Sequence, residues 1–299
     1  MRISNSILAA MAATLVLASC DNDENGGVDT AEYITVNTSI GSLTRTATDD
    51  DGTQTFVKDD KISVYAWTGS ADVVNADGMV VNNSINTYDG TKWSASPQML
   101  WKDMMTPHYF LGVYPTRAIT DFTADAYTLD VTKQEQSDLL VAVNTGTDNA
   151  GFTATNTAVP LQFDHVMAKL IVNLTFRNQW ATTPKVESVT TGNLKGKATV
   201  NYLTKSATVT AEDATNIELP VATANTTYQS IMVPQAGNDA TIAIKIGEKD
   251  YTYTGTVKLE SGKYTTVNLI VGRDGITLGS VSINDWGAGT TINGGEAQE

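Results

Sequence analysis

Cysteine is almost missing from this chain: there is one, Cys20, in 299 residues. A lone thiol excludes an internal disulfide. With only two histidines, His108 and His165, it also leaves too few soft ligands for a Cys/His metal centre. No H-E-x-x-H, C-x-x-C or G-x-S-x-G occurs, so the usual metalloprotease, redox and serine-nucleophile arrangements are absent. Positive charge is scarce as well, with 19 basic residues against 33 acidic ones and a formal net charge of −14. A surface of that sign repels phosphate backbones and anionic lipid heads, which leaves no nucleic acid among the expected partners. Beyond the first nineteen residues no apolar run is long enough to cross a bilayer, and no fixed-period repeat is seen.

What is present points to sheets. Hydrophobic residues make up 41% and charged residues 17%, enough to build a core. Thr, Val, Asn, Asp and Gly are abundant, a composition that favours twisted strands and turns over helices. Lys61–Trp67 alternates cleanly, with Ile62, Val64 and Ala66 on one face and Ser63, Tyr65 and Trp67 on the other. Tyr109–Tyr114, Tyr127–Val131 and Leu139–Val143 are further short strands, although Lys133–Val143 also has the Gln, Glu and Leu content of a helix. After Pro160 the pattern sharpens: Leu170, Val172, Leu174 and Phe176 share a face, as do Ile242, Ile244 and Ile246, and Val267, Leu269 and Val271. These features predict an all-β protein of two β-sandwich domains in series, residues 31–158 and 159–299.

The N-terminus reads as an export signal. Residues 1–19 carry a short basic start at Arg2, then the apolar stretch Ile7–Ala18, too short for a spanning helix. The ending Leu17-Ala18-Ser19-Cys20 resembles a bacterial lipobox, whose cysteine becomes the acylated first residue of the mature chain. Diacylglycerol plus an amide-linked acyl chain exceeds the two-anchor requirement for stable membrane attachment. Residues 20–30 form an acidic, glycine-rich tether, and acidic residues directly after such a cysteine resemble the surface-export signal of Bacteroidetes lipoproteins.

No constellation for catalysis or cofactor binding can be assembled, so the chain is read as no enzyme. His108 and His165 stand at expected strand starts, where a half-buried, hydrogen-bonded imidazole is a structural feature. The acidic clusters Asp49-Asp50-Asp51-Gly52 and Asp59-Asp60 lack the spacing of a calcium loop and read as solvated turns. Five tryptophans (Trp67, Trp93, Trp101, Trp180 and Trp286) read as core or rim packing more readily than as a sugar-stacking platform. Gly287-Ala288-Gly289 begins like a dinucleotide loop but has Ile292 at the third glycine position.

The order of several segments carries a resemblance. They are Cys20 in its lipobox, Arg45-Thr46, Phe56–Tyr65, Met99–Pro115, Ser137–Ala142, Leu161–Val172, Gly262–Asp274 and Ser282–Trp286. Together they resemble the fimbrillin family of Bacteroidetes, the FimA- and Mfa-like subunits of type V pili. The resemblance implies two transthyretin-like sandwiches and a structural role in a fimbria at the cell outer membrane. It further implies partners that are other fimbrial subunits in a homo- or hetero-polymer, and a lipid anchor before processing. An arginine-specific cut would fall after Arg45, before Thr46, and would remove the strand containing Tyr33, Ile34 and Val36. A neighbour's C-terminal segment would take its place, and here Ile276, Leu278, Val281, Ile283 and Trp286 are the candidate donor residues. Their change of parity between Leu278 and Val281 requires a bulge. The same segment can instead be the last strand of its own domain, in which case the chain would be a tip or anchor subunit. A non-polymerising, lipid-anchored adhesin that binds host glycans or matrix proteins is the alternative.

Growth with a labelled palmitate analogue is expected to label the full-length chain. Cys20→Ala should abolish that label in a gel-fluorescence assay.

Overall fold

Among the described residues the alternation of apolar and polar residues is realised as nineteen strands and almost no helix. The computed structural model describes residues 33–41, 55–210 and 215–286. Turns between strands repeatedly use residues that tolerate a left-handed backbone, among them Asp59, Lys205, Asn225, Asp239 and Gly247.

Eight strands come first: β1 (Val36–Ile40), β2 (Lys61–Thr68), β3 (Met79–Tyr88), β4 (Trp93–Ser96), β5 (His108–Tyr114), β6 (Asp125–Thr128), β7 (Leu140–Asn144) and β8 (Val159–His165). A four-residue helix, α1 (Gln134–Ser137), precedes β7, so the ambiguous stretch from Lys133 is helix and then strand. The next strands are β9 (Ala168–Phe176), β10 (Ser188–Leu194), β11 (Lys197–Asn201), β12 (Ser206–Val209), β13 (Thr215–Glu218) and β14 (Val221–Thr223). The last are β15 (Thr227–Met232), β16 (Ala240–Ile246), β17 (Lys249–Gly255), β18 (Lys263–Val271) and β19 (Ile276–Asp285).

Four sheets result. A seven-stranded sheet has the order β1-β8-β7-β5-β2-β3-β4, and a three-stranded sheet β12-β11-β6 covers one of its faces. Tyr65, Trp67, Leu111, Val141, Val200 and Tyr202 fill the space between them. A second sandwich packs β13-β10-β16-β17 against β14-β15-β9-β18-β19 around Val172, Leu194, Ile242, Ile244, Val267 and Leu269. The alternations in β9, β16 and β18 therefore point where their periodicity says.

Two features of β2 and β8 are set by tertiary packing. Both faces of β2 are buried: Ile62, Val64 and Ala66 face one core, and Tyr65 and Trp67 face another. The chain leaves the first sheet only after His165, since β8 pairs with β1 and β7. The halves also interlock: β11, from the second half, pairs with β6 over Lys197–Val200. Lys205, in the turn of the β11–β12 hairpin, pairs with Asp164 of β8. Tyr202 donates to Asp125 (2.6 Å), which also faces Arg117 at 3.5 Å.

Gly112 in β5 shows how closely the first sheet is packed. A Cβ there would lie 2.7 Å from Cζ of Phe163 and 3.1 Å from Leu161, both buried. Gly112→Ala is therefore expected to destabilise the fold by about 1–3 kcal/mol through overpacking, read from the midpoint of urea unfolding.

Candidate functional site

Residues 33–41 run along the margin of the seven-stranded sheet. Inward side chains are Ile34 and Val36, 1% and 6% exposed, followed by the half-buried Thr38 and Ile40. Asn37 and Ser39 face out, as alternation requires. Burying Ile34 and Val36 contributes about 1.5–3 kcal/mol each.

β1 is held on both flanks. Along one it runs parallel to β8 in the register Val36↔Val159 to Ile40↔Phe163. Val159 N–H donates to Thr35 C=O (2.8 Å) and Gly41 N–H to Phe163 C=O (2.7 Å). On the other flank Ile34 N–H donates to Met99 C=O (2.9 Å), Tyr33 bridges Leu100, and Trp93 Nε1–H donates to Thr38 Oγ1 (2.9 Å). The margin strand thus closes a curled sheet, reaching from β8 across to β4 and the segment behind it. The core it seals contains Met99, Trp101, Phe110, Val159, Leu161 and Phe163.

Phe56 sits at the centre of an aromatic cluster beside this strand, edge-on to Trp93 (5.2 Å), Phe163 (5.2 Å) and Tyr114 (5.5 Å). Sequence reading placed Phe56 in a motif without a role; its signal was a lone aromatic just ahead of β2. Where β1 ends, a cleft of about 490 Å³ opens between the two sandwiches, lined among others by Ile40, Phe56, Tyr114, Glu135, Lys169 and Trp286. The Tyr114 hydroxyl is pushed up to about 12, first by burial and then by the carboxylates of Asp60, Glu135 and Asp138. It stays neutral at any physiological pH.

The C-terminal candidate segment is the outermost strand of its own sheet, antiparallel to β18 from Ile276↔Val271 to Asp285↔Lys263. The required bulge occurs at Gly279, between the pairs Leu269↔Leu278 and Asn268↔Ser280. Leu278, Val281 and Ile283 remain 41%, 38% and 37% exposed, whereas Trp286 is buried at 3%. Cys20, Arg45, Thr46 and the Asp49–Asp51 cluster lie outside the described residues.

Other singled-out residues are structural here. His108 is buried at the start of β5; its Nδ1–H donates to Thr106 C=O (2.8 Å) and its Nε2 accepts from Lys102 N–H (3.0 Å). Burial holds its pKa below the ordinary histidine value. His165 ends β8, and does not begin a strand as expected. Asp60 accepts from Val57 N–H (2.7 Å) in the turn before β2. Trp67, Trp93 and Trp101 are buried, and Trp180 is partly buried under Arg273.

Fold and margin together define a class: all-β chains of paired sandwiches whose first sheet is closed by a strand from near the N-terminus. The chain belongs to the fimbrillin-like family, whose model matches residues 44–286. Its fold is similar to that of a candidate cell adhesion protein from Bacteroides ovatus (TM-score 0.66, 19% identity), covering 85% of this chain and 97% of that one. A candidate cell adhesion protein from Bacteroides uniformis gives 0.64 and 18%, with 85% and 98% covered. A fimbrial protein from Bacteroides vulgatus gives 0.57 and 15%, with 85% and 99% covered. No curated protein sequence matches the chain.

Ile34→Ala is expected to destabilise the untrimmed chain by about 2–5 kcal/mol, because the sealed core cannot fully collapse onto the space. Urea unfolding followed by tryptophan fluorescence would measure it.

Proposed function

We propose that this chain is a structural subunit of a cell-surface fimbria that receives a strand from a neighbouring subunit in place of residues 33–41. The observation that carries this reading is the attachment of β8. It lies between β7 and β1, and its pairing with β1 runs along five residues, Val36↔Val159 to Ile40↔Phe163. Losing β1 would leave one side of β8 without its ladder and open the core under Ile34 and Val36 to water. Unpaired N–H and C=O groups beside an apolar groove demand a replacement strand, and a donated strand supplies backbone pairing and alternate side chains together.

Processing fits this geometry. A cut after Arg45 would separate all of β1 from the remainder, and the family match begins at residue 44, with β1 outside it. Before the cut, acylation of Cys20 anchors the chain in the outer membrane; afterwards only pairing holds it in the fimbria. Host glycans or matrix proteins are further candidate partners of the assembled fibre. A second reading draws on β19, which occupies the margin of its own sheet: a terminal subunit that accepts a strand and does not donate one.

Arginine-specific trimming at Arg45 is expected to convert monomers into ladders that survive SDS, and Arg45→Ala should prevent this. Monomers that take up an added peptide of residues 276–299 without forming ladders would assign the terminal position. Fully trimmed monomers that neither polymerise nor take up the peptide would overturn the strand-exchange reading.

A further inference from the structure

β19 is held in its sheet in two different ways. Along its length it has backbone pairing to β18, but its apolar side chains Leu278, Val281 and Ile283 stay more than a third exposed. At its end Trp286 alone is driven into the interior, 3% exposed, among residues of the first sandwich and the junction such as Val166, Met167 and Ile231. Its ring lies flat on His165, with centroids 4.0 Å apart and planes within 7°. His165 is fixed in turn, since its Nδ1 meets Asp138 Oδ1 at 2.8 Å.

A turn built around Gly262 forms the seat. Trp286 N–H donates to Gly262 C=O (3.0 Å), Gly262 N–H to Met167 C=O (3.0 Å), and Ser261 Oγ to Val166 C=O (2.8 Å). Gly262 has φ +68°, and a Cβ there would lie 3.2 Å from His165 C=O, so this close approach favours glycine. The seat is imperfect in one respect. Nε1 of Trp286 and Nε2 of His165 are both buried without a hydrogen-bond partner, and each such group carries a desolvation cost that departure of the ring would relieve.

From this we propose that Trp286 on His165 is a latch: the positioning contact that keeps the C-terminal strand in its own chain, so that releasing one aromatic ring frees β19. This rests on the strand-exchange reading for its purpose but not for its test. The physical basis is leverage. The Ile276 end of β19 is tied to β18 by the turn at Gly272–Gly275. A margin strand with exposed apolar side chains would therefore fray from its other end, the one that the buried Trp286 pins. The seat lies at the end of β8, the strand that also carries β1, so the replaceable strand and the latched strand converge on one element.

Hydrogen exchange by mass spectrometry on the untrimmed chain tests it. Trp286→Ala is expected to speed exchange in residues 276–285 at least tenfold, while β9, β10 and β16 stay within twofold of the parent. His165→Gln should act in the same direction, and Trp286→Phe should give an intermediate increase because a smaller ring can still stack. Unchanged exchange at 276–285 would overturn the latch. So would acceleration spread evenly through the second sandwich, which would make Trp286 an ordinary core residue. Because no trimming or polymerisation is involved, failure here is distinguishable from failure of strand exchange, which is read from ladders and peptide uptake.

Discussion

The parallel pairing of Val36–Ile40 with Val159–Phe163 is the contact on which the first half of the molecule depends. β8 lies between β7 and β1, with five register pairs on its β1 side. β1 is also tied across to Met99 and Trp93, which turns an open, curled sheet into a closed one. Parallel ladders are slightly weaker per residue than antiparallel ones. The closing strand is therefore essential to the core it covers, yet attached by one of the weaker forms of sheet pairing.

The rest of the protein has supports that do not involve this margin. The β11–β12 hairpin from the second half covers the opposite face of the seven-stranded sheet and pairs with β6. Gln134 of α1 accepts from Ile231 N–H at 2.7 Å and donates to Ser230 Oγ at 3.1 Å. Tyr202, Asp125 and Arg117 make a second polar tie between the halves. The core around Tyr65, Trp67 and Tyr202 is thus independent of Ile34 and Val36, which belong to a separate cluster on the other face.

This separation is what strand replacement requires physically. A subunit that lost its whole fold with β1 could not present a groove, and one whose β1 lay mid-sheet could not release it. The acidic character of the chain adds a further constraint: copies with a net charge of −14 repel one another at long range. Strand exchange as proposed would set short-range backbone pairing and apolar burial against that repulsion.

The sequence by itself determined the fold class and much of the local detail. Alternation fixed which sides of β9, β16 and β18 face a core, the parity change at Leu278–Val281 required the bulge that Gly279 makes, and the family resemblance implied a strand containing Ile34 and Val36 near the N-terminus. The order of motifs from Arg45 to Trp286 carried the family. Tertiary structure alone decided which strands are neighbours. It set the parallel match of β1 to β8, the membership of β8 in the first sheet, the return of β11 and β12, the second buried face of β2, the role of Phe56, and the seat of Trp286 on His165. The physical reason is that periodicity of two records the side on which a residue is buried, a local property. Partner, direction and register are settled by contacts between segments far apart in the chain, and no single stretch of residues encodes them.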